Sequence, residues 1–200
     1  MKKRSIRKGM SLKTVVLVIL IIIVAIFGAV ATFMLLFTLR EPAISDAVRF
    51  SIEYPLVPED NVFIYKSATE VADILESGTG AVFLSTRACL WCQAYAALLH
   101  QAAMNAGIEA IYYTDTRLER ENNTVAYRRI IRVLGDYLRA DTDGRPRVFL
   151  PDFSVVKDGV VIGHDNETSD IDGMDPSEYW TNRRAHALMQ RLEAMMREIL

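Results

Sequence analysis

Cysteine is nearly absent from this chain, whose 200 residues include two, Cys89 and Cys92. Spaced three apart, they cannot staple distant segments, so the fold has no disulfide framework to lean on. They also lack a second ligand pair at zinc-like spacing, and the chain is read as holding no metal and no cofactor. His164, the candidate third ligand, reads instead as a polar residue at the end of the last strand. Acidic residues are missing before Glu41, while Lys2, Lys3, Arg4, Arg7, Lys8 and Lys13 crowd the start. With those six set aside, 17 basic residues face 25 acidic ones. No basic stripe remains to track a phosphate backbone, which argues against nucleic acid as a partner. Internal repeats and low-complexity tracts are absent as well.

What the chain has in excess is uninterrupted apolar length. Residues 15–39 run 25 positions without a charge and are closed by Arg40. At about 1.5 Å per residue this exceeds a bilayer core of about 30 Å. The basic flank keeps residues 1–14 cytoplasmic under the positive-inside rule, so a single-pass transmembrane helix over 15–39 carries the rest of the chain outside. A cleaved signal peptide competes, because Ala29-Val-Ala31 offers a small-residue site. Cleavage there would leave residues 32–39, which are mostly apolar, bare at the new terminus, which favours retention. A segment apolar on every face at a terminus is unlike a buried core helix.

Residues 40–60 hold Pro42, Pro55 and Pro58 and read as a juxtamembrane linker, with 48–54 alternating like a short strand. From there strands and helices alternate. Residues 61–65 predict a strand, 69–76 a helix and 81–84 a second strand. After the cysteines, Ala94, Ala97, Leu98, Gln101 and Met104 recur at helical spacing until Asn105-Ala-Gly107 closes the helix. Residues 108–113 predict a third strand, and 123–138 a helix burying Val125, Ile130, Val133, Leu134 and Leu138. Strands over 148–156 and 160–162 flank Lys157-Asp-Gly159, a hairpin signal. Asp175-Pro-Ser-Glu178 has the residues of a helix start. A final helix over 181–199 lines up Ala185, Leu188, Leu192 and Met196 with Met189, Met195 and Ile199. The order βαβαβαββα is that of an α/β domain.

The cysteines sit where a strand hands over to a helix. Residues 81–84 are apolar, and Gln93-Ala-Tyr-Ala opens an amphipathic stretch. A helix N-terminus offers unpaired N–H groups and the positive end of the macrodipole, both of which favour a thiolate. Arg87 is the nearby cation in sequence and is expected to lower the pKa of Cys89. Cys-Leu-Trp-Cys therefore reads as a redox pair, with Cys89 the exposed attacking sulfur and Cys92 the buried resolving one. Its partners are protein or peptide thiols and disulfides, with the redox partner protein and the direction of electron flow undefined. Trp91 either offers such a substrate an apolar surface or packs against the domain's own loop.

This order, with Cys-x-x-Cys opening the helix after the second strand, makes residues 61–200 resemble the thioredoxin fold, a central mixed sheet flanked by helices. The run Leu150-Pro151-Asp-Phe-Ser-Val-Val-Lys-Asp-Gly159 is similar to the family's cis-proline ahead of a hairpin, whereas Pro146 has the wrong spacing. The resemblance implies that Pro151 lies beside the cysteine pair and that Leu150 lends backbone hydrogen bonds to a bound thiol substrate. A narrower likeness rests on the layout and on Gly163-His-Asp-Asn-Glu-Thr. It is to membrane-anchored thioredoxin-like proteins of Gram-positive bacteria, bacteriocin transport accessory proteins among them. Three departures bear on chemistry. The Gly-Pro of the family's Trp-Cys-Gly-Pro-Cys is Leu-Trp here, and no histidine lies between the cysteines. Phe83 occupies the place of a buried aspartate that assists the second thiol in thioredoxin.

The expected function is a membrane-anchored, extracytoplasmic thiol–disulfide oxidoreductase. The alternative is a non-catalytic thioredoxin-like accessory module in peptide (bacteriocin) export or envelope protein assembly. The acidic loop over 165–175 invites a calcium reading. It lacks EF-hand spacing and the closing glutamate, so it is read as a solvated loop with calcium left open.

Overall fold

A computed structural model describes residues 12–38 and 44–200. The basic run ahead of Leu12 lies outside the described residues, as do 39–43, the end of the expected span and the start of the expected linker. The chain divides into two compact units, Met1–Ala43 and Ile44–Leu200. The first holds α1 (Leu12–Thr38), where no proline interrupts the helix and Lys13 is the one charge. Its 27 residues reach about 40 Å at the usual rise. The stretch Leu12–Thr32 has a mean hydropathy of 3.2. Length and composition are those of a membrane anchor or of a signal sequence.

The second unit is built on five strands: β1 (Phe63–Tyr65), β2 (Gly80–Ser85), β3 (Ile111–Asp115), β4 (Asp152–Lys157) and β5 (Val160–Asp165). They form one mixed sheet in the order β1-β3-β2-β4-β5, so β2 lies at its centre. β3 runs parallel to both β1 and β2, whereas β4 runs antiparallel to β2 and to β5. Successive side chains of a strand point to opposite faces, and β2 divides accordingly. Ala81 and Phe83 join a core with α4 (Leu90–Ala106) and α8 (Asn182–Arg197). Val82 and Leu84 join a second core with α3 (Ala68–Ser77) and α6 (Val125–Leu134). Both cores are fully closed at β2, where residues 81–84 are each 0% exposed.

Local chemistry fixes the ends of these elements. Ser67 and Glu70 form a reciprocal capping box at the start of α3. Gly107 ends α4 at a φ of 82°, a left-handed position suited to glycine. In the hairpin, Asp158 and Gly159 both have positive φ, 52° and 76°, as a two-residue turn of this hand requires. Gly159 also donates its N–H to Gly78 at 2.9 Å, which draws the turn onto the end of α3.

Several expectations are corrected. Residues 48–54, read as a strand within a linker, lie in α2 (Asp46–Glu53) and the turn that follows it. Ser45 caps this helix, and Phe50 and Tyr54, four apart on one face, are completely buried in the first core. Apolar residues at 48, 50, 52 and 54 fit a strand, but 50 and 54 also satisfy the helical repeat, and the core selects it. The buried stripe of α4 runs through Cys92, Tyr95, Ala96, Leu99 and Ala103, leaving Met104 exposed. The helix expected over 123–138 is α6 plus a 3-10 turn (Gly135–Tyr137), and Val125 at its start is exposed. A short helix, α5 (Arg117–Glu121), precedes it unforeseen. β4 begins at Asp152 rather than 148. Ahead of it, side chains hold the backbone of Val148, whose N–H is accepted by the Tyr127 hydroxyl and whose carbonyl accepts from Arg120.

Candidate active site

β2 delivers the chain to the cysteines through the short turn Thr86-Arg87-Ala88. Cys89 is the N-cap of α4, and its sulfur accepts the Cys92 N–H at 3.2 Å. An N-cap side chain that accepts from the first turn normally supplies oxygen; here it is sulfur, and a thiolate accepts better than a thiol. Cys89 is half-buried, Cys92 is completely buried, and both are free thiols.

The two sulfurs are tuned in opposite directions. The Cys92 thiol donating to it, the N–H groups of Cys92 and Trp91, and the charge of Arg120 bring the Cys89 pKa down to about 7 against the cost of burial. Burial pushes the Cys92 thiol well up, and the neighbouring Cys89 sulfur adds to the rise. At neutral pH the pair is thus divided into a ready nucleophile and a thiol that stays protonated. The cation that acts on Cys89 is Arg120 of α5, 31 positions away; the sequence neighbour Arg87 is exposed.

The other expected site residues fall as follows. Leu150 is half-buried and packs against both cores, and the Leu150–Pro151 peptide is cis. Asp152 pairs with Leu84, so the buried Pro151 lies level with Ser85, at the end of β2 from which the cysteine turn departs. Trp91 is half-buried, with its ring edge-on to Tyr179 of α7 (Pro176–Tyr179) at 5.3 Å and to Trp180 at 6.5 Å. It also lines, with Leu90, an open groove of about 470 Å³ whose far wall carries Asp170, Asp172 and Asp175. Leu90, between the cysteines, is 68% exposed. Gln93 fastens the turn by donating to the carbonyls of Arg87 and Glu53, at 2.9 and 2.8 Å.

His164 is not near the cysteines in the manner of a third ligand: its Nε2 lies 3.0 Å from Asp152 Oδ2. Among the described residues no three histidine, cysteine or acidic side chains gather closely enough to hold a metal ion. Asp165 accepts from the Tyr95 hydroxyl at 2.9 Å and from Arg191 at 3.0 Å, pinning α4 and α8 to the sheet beneath the site. Phe83 stacks on Tyr95, with centroids 5.9 Å apart. Sequence reading missed a group of buried hydroxyls at the end of β2. Tyr54 Oη is 2.8 Å from Ser85 Oγ and donates to Tyr113 Oη at 3.3 Å. Tyrosines in a strand and a short helix look like ordinary core residues, so no local signal marks them.

No protein-family model, curated protein or solved structure matches this chain.

Proposed function

We propose that this protein is a thiol–disulfide oxidoreductase of the thioredoxin-like type, anchored by α1 with residues 44–200 on the outer side of a membrane. The observation that carries the proposal is the division of labour at the start of α4: a half-buried Cys89 with its pKa lowered to about 7, hydrogen-bonded to a fully buried Cys92. The strand order and the proline ahead of the hairpin support the thioredoxin-like reading, being the layout that family uses around its cysteine pair. The long apolar helix near the N-terminus supports the anchor, and an oxidising compartment is where a reversible disulfide has work to do.

In the reducing direction the Cys89 thiolate attacks one sulfur of a substrate disulfide, and that bond breaks as a Cys89–substrate disulfide forms. The departing substrate thiolate takes up a proton. Cys92 then gives up its proton and attacks the Cys89 sulfur. The Cys89–Cys92 disulfide forms, the second substrate thiolate leaves, and two electrons have passed to the substrate. The oxidising direction is the same sequence reversed, and a redox partner protein restores the pair in either case. The sulfurs carry the electrons themselves, so no cofactor enters. Leu90 and Trp91 offer apolar surface to a polypeptide substrate, and the Leu150 backbone beside Pro151 offers it extended hydrogen bonding.

The test is to trap the intermediate. Cys92→Ser in the full-length chain leaves Cys89 able to attack but nothing to resolve the product, so reductant-sensitive mixed disulfides accumulate on Cys89. They are absent from the Cys89→Ser/Cys92→Ser double variant. A Cys89 no more reactive toward alkylating agents than a simple thiol contradicts the proposal, and full cellular function in the double variant points to the non-catalytic accessory role.

A further inference from the structure

Two grooves open beside the cysteine pair. They meet at Leu90 and at the Asp175-Pro176 step, which line both. One is the open groove already described, whose lining carries Asp170, Asp172 and Asp175 and no basic residue. The other, of about 350 Å³, is lined mainly by Leu56, Leu90, Ala94, Leu98, Pro176 and Trp180. Neither Leu150 nor Pro151 lines either groove, so this surface is distinct from the proline side of the site. Leu90, Ala94 and Leu98 follow one another by a helical turn along α4, beside its buried stripe. The apolar groove therefore starts at the residue after Cys89 and runs down the helix. From Leu90 to Leu98 is about 12 Å, the reach of about three or four extended residues.

The walls of the apolar groove are built in. Pro176 of α7, Trp180 and Ala185 of α8 face the α4 stripe, and Leu56 stands at the edge. The segment that carries Leu56 is tied to α4 where Gln93 donates to the Glu53 carbonyl at 2.8 Å. Leu90 and Leu56 are 68% and 64% exposed, an apolar surface that gains by being covered. Position and charge together say what covers it. A polypeptide joined to Cys89 through sulfur passes over Leu90, so its neighbouring residues reach both grooves. The acidic wall attracts a basic side chain and repels an anionic lipid surface. A second copy docked face to face would set the same acidic residues against each other.

We propose that the two grooves select a cationic, apolar segment of a polypeptide substrate, which lies across Leu90 with an aliphatic side chain in the groove along α4 and a lysine or arginine in the adjoining acidic groove. The inference rests on the thiol-exchange reading of the cysteine pair and names the substrate class for it. The aliphatic residue sits about three positions from the reacting cysteine, the distance the groove spans. Leu56 and Leu98 determine specificity by burying that side chain, and they touch neither sulfur's chemistry. Asp170 and Asp172 steer the basic residue and fix which way the segment lies.

The test uses the reduced full-length chain in phosphatidylcholine nanodiscs and disulfide-linked dimers of a short peptide. The peptide has one cysteine, a leucine three residues from it and a lysine on its other side, made in both orders. Reduction of each dimer to two peptide thiols, coupled to formation of the Cys89–Cys92 disulfide, gives a second-order rate constant. Serine in place of the peptide's leucine is expected to lower it about tenfold, the scale of a lost aliphatic contact. Glutamate in place of the lysine lowers it further, and added salt narrows that difference. Leu98→Ser and Leu56→Ser abolish the preference for leucine, and Asp172→Asn weakens the preference for lysine. Iodoacetamide alkylation of Cys89 reports whether the site is intact in each variant, and the exposed Leu56 carries the test should Leu98→Ser fail to fold. A wild-type rate indifferent to the leucine overturns the proposal, whether a second copy or lipid then covers the groove. So does a leucine preference that survives in Leu56→Ser. Either result leaves the oxidoreductase reading in place, whereas dimers reduced no faster than by a simple thiol overturn that reading and the proposal with it.

Discussion

Replacing Cys92 by alanine probes what holds the Cys89 thiolate. The Cys92 thiol is the largest contributor to the lowered Cys89 pKa, ahead of the two backbone N–H groups and Arg120. A fall from the ordinary 9.0 to about 7 raises the thiolate fraction at pH 7 from about 1% to about one half. Lower basicity also weakens a nucleophile, by about eightfold over such a shift, so the net gain in attack rate at pH 7 is about sixfold. Cys92→Ala removes the leading donor and leaves the backbone groups in place. Its midpoint is expected to rise by about one unit, part of the way back to the ordinary thiol value. Cys92→Ser keeps a donating hydroxyl and stays near the wild type. The assay is the rate of iodoacetamide alkylation of Cys89 against pH in the reduced full-length chain. A wild-type midpoint at the ordinary thiol value refutes the reasoning, as does a Cys92→Ala midpoint that does not move.

Phe50→Ala removes a fully buried ring that stacks on both Tyr54 and Phe63. Its expected cost is about 3–5 kcal/mol, read from the urea midpoint. An unchanged midpoint would show that α2 is not part of the core. Asp152 is fully buried, and burial raises its carboxyl pKa despite the His164 hydrogen bond. The stability contributed by a raised acid is fully present below its unfolded pKa and is lost as pH rises through the folded value. Asp152→Asn is therefore expected to gain melting temperature relative to wild type as pH rises above 3.8; parallel curves across that range would contradict it.

The legible parts of this protein were those written in contiguous residues. An apolar strand, a turn and Cys89 followed by a helix are adjacent in the chain, and the N-cap position of Cys89 follows from them. The Lys157-Asp-Gly159 turn and the apolar face of α8 were readable for the same reason. The α/β class, the mixed sheet and the apolar first helix were also within reach of the sequence. The illegible parts depend on residues brought together from afar. Phe50 and Tyr54 fit strand or helix alike until the core is known, so α2 looked like a spacer with a strand in it. Arg120 acts on Cys89 from a helix with no buried residue of its own to announce it. His164 looked like a loose polar end, yet the hairpin sets it against buried Asp152. The Ser85–Tyr54 contact joins positions 31 apart, a pairing no periodicity predicts.

The central claim is that Cys89 and Cys92 are a reversible two-electron couple. The most direct measurement equilibrates the full-length chain in glutathione buffers of graded potential and quantifies the Cys89–Cys92 disulfide by acid quench and alkylation. A single reversible transition, lost when either cysteine is replaced by serine, is the result expected. A pair that stays entirely reduced, or entirely oxidised, across the whole range would contradict it.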